Sequence, residues 1–238
     1  MKKRTNHILL GALAVALVVV IGTILTARSI LAQAVENVET IELSGTRIER
    51  EYAVEDFSRL AITGGWRVSI SRGATQTLSI SGDSALVNDV TVAVSDGLLS
   101  ISSEGAAPAF DGGLSAEITV ASLESLETIG GSDVRLRSLN QEDLRIRNHG
   151  ASNVQAEGLV VRRLRLESEG AGNFDFTDAR VHSAEVVMEG AGNVEVTMDG
   201  GELTGRISGL GNVEYGGSVA RESIRVDGVG SVEPRDEE

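Results

Sequence analysis

Apolar and polar residues alternate along much of the chain, most regularly between residues 130 and 232. One copy of the pattern places Leu144 and Ile146 in line, with Arg145 and Arg147 between them. Alternation with a period of two is typical of a β-strand that buries one face. The chain is therefore predicted to be all-β.

A glycine-rich corner interrupts this alternation about every 20 residues. Glycine and asparagine recur there because both tolerate a positive φ, which a sharp bend between short strands requires. We predict that these residues form structural corners and that the asparagines of successive copies stack into an amide ladder. The corner residues are Gly130, Gly150, Gly170, Gly172, Asn173, Gly190, Gly192, Asn193, Gly209, Gly211, Asn212 and Gly228.

Units of about 20 residues are too small to bury an apolar face alone, so they are expected to stack. The predicted fold is a parallel β-helix (solenoid) over 46–234, with rungs of about 20 residues. A leucine-rich repeat has a similar period, but the connectors here lack helical periodicity. Stacking also predicts ion pairs between rungs, Arg147 with Glu167 and Arg165 with Glu185, which we interpret as register control.

Irregularly spaced strands precede the corners, and they are expected to merge into the solenoid and shield its first rung. Asp96-Gly97 stands between two alternating runs and predicts a hairpin. The predicted strands are 57–63, 66–71, 76–81, 90–95, 98–103 and 114–120.

The amino terminus carries a basic start followed by 8–27, which has no charged residue. Segment 1–34 is predicted to be an apolar helix that acts as an export signal or as a membrane anchor. Its length favours an anchor that contacts the membrane through 8–27. The small residues at Ala32 and Ala34 favour cleavage after Ala34, and both alternatives stay open. A linker, 35–45, would connect this segment to the solenoid.

Composition narrows the possible functions. The chain has 238 residues, no cysteine and a net charge of −14. An acidic chain is a poor nucleic-acid partner because phosphate binding requires a basic surface. Absent cysteine excludes disulfides and thiolate metal sites. Aromatic residues make up 3% of the chain, which argues against a sugar-stacking cleft. The chain closes on an acidic tail, 235–238.

An acidic row is the strongest candidate for ion chemistry. If the register holds, four carboxylates stack on one face. They would form either a weak stripe for a divalent cation or a basic partner, or a solvated face with no ligand. They are Asp175, Glu195, Glu214 and Glu233. The histidines occupy different positions of the pattern, so we expect no metal site. The sequence has no Ser-His-Asp set, Walker loop or dinucleotide fingerprint, so we expect no catalytic set and no cofactor.

The serial corners and the upstream run 78–101 resemble the head GIN domain family, described as putative auto-transporter adhesins of bacterial envelopes. The resemblance covers 55–232. It implies a right-handed parallel β-helix behind an export signal or anchor, in the periplasm or at the inner membrane, and it offers no catalytic residues to carry over.

The function expected is that of a non-enzymatic envelope protein with an adhesin-like binding or structural surface for an unknown protein or glycan. The alternatives are a carbohydrate-active β-helix enzyme, a lyase or hydrolase, and an anchored structural or stress-response factor with a protein partner.

Overall fold

The computed structural model describes residues 43–103 and 113–235. Within these ranges the chain forms eleven strands and one short helix. The strands are β1 (Arg47–Tyr52), β2 (Arg59–Arg72), β3 (Thr77–Asp83), β4 (Thr91–Ser95), β5 (Leu98–Ser102), β6 (Leu114–Val120), β7 (Ser125–Arg137), β8 (Asn140–Asp199), β9 (Glu202–Ser218), β10 (Arg221–Val226) and β11 (Val232–Pro234). The helix, α1 (Ser84–Asn88), follows β3.

The strands form one sheet with mixed pairing. Its main path runs β1-β3-β6-β2-β7-β8-β9-β10, while β4, β5 and β11 pair off this path. β1 with β3, β3 with β6, and β4 with β5 are antiparallel. β2 pairs in parallel with β5, β6 and β7, and the parallel pairing continues from β7 through β10.

The prediction of a parallel β-helix is wrong: the described residues form an all-β mixed sheet of eleven strands, not a closed solenoid. Alternation indicates which side of a strand is buried, but it does not indicate which strand lies beside it. The antiparallel pairs were therefore not predicted. The glycine corners from Gly130 to Gly209 also do not end strands, whereas Gly228 follows the end of β10. β8 runs for 60 residues and passes through several of them.

The predicted apolar helix, the whole of 1–34, most of the linker 35–45 and the end of the tail 235–238 lie outside the described residues. Within the part of the chain that the structure covers, no helix is long and apolar enough to cross a membrane.

From β7 to β10 the parallel strands pair at an offset of one sequence period. Gly130 pairs with Gly150 across β7 and β8, and Gly190 pairs with Gly209 across β8 and β9. Equivalent side chains from successive periods therefore lie next to one another. This offset positions the surface features described below.

The core is formed by the apolar residues of the alternating pattern, which point to one side of the sheet. Leu144, Ile146 and Leu166 of β8 are at most 1% exposed, as are Phe174 and Phe176 beyond the next corner. Full burial of such a side chain contributes about 1.5–3 kcal/mol. The intervening polar side chains consequently point outward, which gives the sheet its charged face.

A buried polar cluster runs through this core. Asn148, fully buried, donates from Nδ2 to Ser168 Oγ at 3.1 Å and to the Ala171 carbonyl at 3.3 Å. The hydroxyl of Thr128 contacts Asn148 Oδ1 at 3.2 Å and Ser152 Oγ at 3.1 Å. These bonds join neighbouring periods inside the core.

The upstream strands and the hairpin were predicted correctly within a few residues, although 57–63 and 66–71 join into the single strand β2. Asp96 and Gly97 connect the antiparallel β4 and β5 with φ of 50° and 74°. Positive φ at both central residues is the geometry of the favoured two-residue hairpin turn. Asp83 is the N-cap of α1, and its carboxylate accepts a hydrogen bond from the Ala85 N–H at 2.9 Å.

Candidate functional site

The outward positions of β8 on either side of the buried leucines form a dense network of ion pairs, which we call the arginine–glutamate face. Its position follows from the alternation, because most of these charged residues stand between two that point into the core, and Asp143 and Arg163 each precede a buried leucine. Its members are Asp143, Arg145, Arg147, Arg163, Arg165, Glu167 and Glu185.

Glu167 is the centre of this face. Its Oε2 lies 2.7 Å from Arg145 Nη2 and 3.1 Å from Arg147 Nε, and its Oε1 lies 2.6 Å from Arg165 Nε. Partial burial by itself would raise the pKa of Glu167, but hydrogen bonds from Arg145, Arg165 and Arg147 outweigh it and lower the pKa from 4.5 to about 2. The carboxylate is therefore charged throughout the physiological range.

Two further pairs extend the network. Arg163 Nε and Nη2 lie 2.5 and 2.6 Å from the two carboxylate oxygens of Asp143. The Arg163 hydrogen bond is the main reason that the pKa of Asp143 is lowered. Arg165 Nη1 lies 2.6 Å from Glu185 Oε2. Such bidentate and shared geometry is more specific than an isolated surface pair.

The sequence predicted part of this network. The pairs Arg147–Glu167 and Arg165–Glu185 are confirmed. The bidentate contact of Arg145 with Glu167 was missed because it runs diagonally, 22 residues apart in sequence. A search for opposite charges one period plus two residues apart would have found it.

A groove lies on the arginine–glutamate face and has a volume of about 360 Å³. Leu144, Leu164 and Ala184 contribute apolar lining, and Arg145 and Arg165 contribute charge. These residues come from three successive periods. The groove therefore runs across neighbouring strand segments of the sheet, each one period from the next.

A second groove of about 390 Å³ shares Arg145 and Arg165 with the first and extends toward His149. His149 lies between two carboxylates from neighbouring periods. Its Nε2 is 3.7 Å from Glu127 Oε1, and its Nδ1 is 3.2 Å from Glu169 Oε2. Sequence analysis did not predict this arrangement, because the histidines were considered there only as metal ligands.

The corner glycines form a column in which backbones approach too closely for side chains. A β-carbon on Gly170 would collide with the Gly150 carbonyl oxygen, and one on Gly190 would collide with that of Gly170. The same holds for Gly209 and Gly228 against the preceding glycine. The second glycines of the corners, at 172, 192 and 211, also meet the backbone of the preceding period.

The predicted amide ladder is present beside this column. Asn173 Nδ2 donates to Asn153 Oδ1 at 3.4 Å, and Asn193 Nδ2 donates to Asn173 Oδ1 at 3.4 Å. Asn212 Nδ2 continues the series to Asn193 Oδ1 at 3.5 Å. These side chains are exposed, so the ladder contributes to the register more than to burial.

The acidic row lies on the other side of the corner. Glu195 pairs in register with Glu214, and Glu214 with Glu233. Asp175 instead accepts hydrogen bonds from the Thr177 N–H and hydroxyl, at 3.0 and 2.6 Å. Within residues 43–103 and 113–235, no three metal-ligating side chains converge on one point. Cation binding by this row stays a prediction, which melting temperature during a calcium titration would test.

The family model for the head GIN domain, described as "putative auto-transporter adhesin", matches residues 56–178 and 165–236. The chain belongs to this family, and the resemblance drawn from its glycine corners is confirmed. Comparison with proteins of curated function finds no match.

Solved structures show the same fold. A putative adhesin from Bacteroides fragilis is 22% identical with a TM-score of 0.63, over 81% of this chain and 98% of the other. A putative lipid binding protein from Parabacteroides distasonis is 17% identical with a TM-score of 0.50, over 83% of this chain and all of the other.

Proposed function

We propose that this protein is a non-enzymatic component of the bacterial cell envelope, exported or anchored, that presents an adhesin-like binding surface to a protein or glycan. The arginine–glutamate face is the single observation that carries this proposal. It combines two adjoining grooves with charged groups whose positions are set by the paired strands beneath them.

Rigidity makes this face suitable for recognition. Arg145, Arg147 and Arg165 are each held by Glu167, so little side-chain freedom remains to be lost when a partner binds. Arginine is also enriched at protein interfaces, because its flat guanidinium group both packs and donates several hydrogen bonds. The family membership and the export-like amino terminus support the envelope location.

The state of the carboxylates favours binding over glycoside hydrolysis. A hydrolase of that kind needs a carboxylic acid whose pKa is raised so that it can donate a proton. In the arginine–glutamate face the carboxyl pKa values are lowered instead of raised. Arg163 lowers the pKa of Asp143, and the three arginines around Glu167 lower the pKa of that residue. These acids are suited to holding arginines in place.

Location is tested with cells that produce the full chain carrying a carboxyl-terminal epitope tag. Fractionation and protease added to intact cells should place the tag outside the cytoplasm. A tag found in the cytosolic fraction would contradict the envelope proposal. The size of the mature chain distinguishes cleavage after Ala34 from retention of the anchor.

Binding is tested by retention of these cells on mucin-coated plates, because mucin presents both protein and glycan. Cells with the Arg145→Glu/Arg165→Glu variant should be retained less than cells with the parent. Arg180→Glu is the matched control, since Arg180 is an exposed arginine that lines neither groove. Equal retention of the deletion strain, the parent and both variants would contradict the binding role.

A further inference from the structure

β10 is the last strand on the main path of the sheet, and among the described residues it pairs only with β9. An unpaired strand edge is a template for addition of another strand. The neighbouring β11 is less suited to this role, because Pro234 has no N–H to donate. At this end of the sheet, the available edge is therefore that of β10, and β1 lies at the opposite end.

The hydrogen bonds to β9 show which backbone groups of β10 face outward. The N–H groups of Asp227 and Val229 donate to carbonyls of β9 at 2.8 Å. Backbone groups alternate in direction along a strand, so the even-numbered residues direct theirs away from β9. Ile224 agrees, because its N–H donates to the carboxylate of Glu222 at 2.7 Å.

The outward residues allow a two-fold symmetric pairing between two copies. In an antiparallel register centred on Ile224, Glu222 of each copy faces Val226 of the other, and all these residues point backbone groups at the partner. The same register sets Arg221 of each copy opposite Asp227 of the other, on the same face of the joined sheet. Within one chain Arg221 pairs with Glu202 at 3.1 Å, and Asp227 pairs with Arg206 and Arg225 at 2.8 and 2.7 Å. Ile224, half-buried, would meet its own counterpart.

We propose that β10 is a docking strand for a second copy of this chain, in the antiparallel register centred on Ile224, and that the Glu222 carboxylate competes with docking. The Glu222 carboxylate now accepts the hydrogen bond of the Ile224 N–H. In the dimer the same N–H would donate to a carbonyl of the partner. Its side chain is exposed, so it can move aside at modest cost. In the dimer each Arg221 would join the arginines already around Asp227 of the other copy, and this charge complementarity favours a second copy over an arbitrary strand.

The first experiment measures the self-association of the full chain, purified in mild detergent, by sedimentation equilibrium. Glu222→Ala removes the competing carboxylate and should tighten dimerisation by at least about tenfold. Glu233→Ala is the matched control, because Glu233 lies on β11 and should leave the dissociation constant unchanged. A Glu222→Ala chain that stays monomeric at the highest concentration would overturn the proposal.

The second experiment tests the register. The chain has no cysteine, so Ile224→Cys introduces a single thiol. In the proposed dimer the two Cα atoms at this position lie about 5.5 Å apart, within reach of a short bis-maleimide. Ile224→Cys in the Glu222→Ala background should cross-link efficiently, and Glu195→Cys in the same background should not. Equal cross-linking of both would exclude this register.

Ile224→Pro gives an independent check. Proline removes the N–H that faces the partner while leaving bonds to β9 in place, so the chain should fold and remain monomeric. A Glu222→Ala/Ile224→Pro chain that dimerises as tightly as Glu222→Ala would overturn the proposal. If the proline variant fails to fold, the cross-linking result decides.

Discussion

The carbonyl oxygen of Gly150 occupies the space that a β-carbon on Gly170 would need. Gly170 also has a φ of +128°, a conformation that side chains rarely permit. Two separate constraints, space and dihedral angle, thus require glycine at this corner. The next period repeats the relationship between Gly190 and Gly170.

Gly170→Ala is expected to destabilise the protein by about 3 kcal/mol or more, because backbone strain and a clash with neighbouring backbone add together. Gly97→Ala is the control, since Gly97 also has a positive φ but open space around it. It should cost only about 1 kcal/mol. Urea unfolding measures both, and equal losses would show that the close approach has no energetic consequence.

Glu167→Gln is expected to reduce stability by about 1–2 kcal/mol, because three arginines would then repel one another around a neutral group. For a domain of this size, each kcal/mol lowers the melting temperature by about 2–4 °C. Glu189→Gln is the matched control on the same side of the sheet. A shift for Glu189→Gln as large as that for Glu167→Gln would argue against the cluster as the cause.

Stability should fall as the pH drops from about 4.5 to about 2. The pKa of Glu167 is lower in the folded chain than its ordinary value of 4.5, so the folded state binds its proton less readily. The stabilisation is then complete above pH 4.5 and is lost as the pH falls through about 2. Denaturant midpoints across this window should decline less steeply for Glu167→Gln than for the parent. Parallel declines would contradict the assignment.

Asn148→Ala is expected to cost about 2–3 kcal/mol, because it removes the amide hydrogen bonds that Asn148 makes with the buried hydroxyls of Thr128 and Ser168 and with the Ala171 carbonyl. Asn173→Ala should cost less than about 1 kcal/mol, since its amide bonds are exposed to water. Thermal unfolding compares the two. The reverse order would show that the exposed ladder, and not the buried cluster, dominates.

Glu214→Lys is expected to stabilise the protein by about 0.5–1 kcal/mol at low salt, since Glu195 and Glu233 flank Glu214 in register. The gain should disappear near 1 M salt, where screening shortens to about 3 Å. Glu157→Lys is the opposite control, because Glu157 pairs with Arg137 at 3.2 Å. A gain for Glu214→Lys that persists at high salt would exclude an electrostatic origin.

Sequence reasoning was most successful where a feature repeats. The offset of one period places Arg147 beside Glu167 and Asn173 beside Asn193, so contacts at that offset could be predicted from the letters alone. Sequence reasoning did not predict the diagonal contact of Arg145 with Glu167. The direction of a long arginine side chain decides which acidic residue it contacts, and the sequence pattern does not specify that direction. The grooves were also missed, since they depend on how three periods pack together.

The sequence by itself determined the all-β class, the buried face of most strands, the hairpin at Asp96 and Gly97, and the family. These follow from local rules, because alternation and turn chemistry act over a few residues. Only the tertiary structure decided that β1, β3 and β6 pair antiparallel, that β8 continues through its corners, and that the Glu222 carboxylate accepts a hydrogen bond from the Ile224 N–H. Strand partners are chosen by contacts between distant segments, and no local pattern encodes that choice.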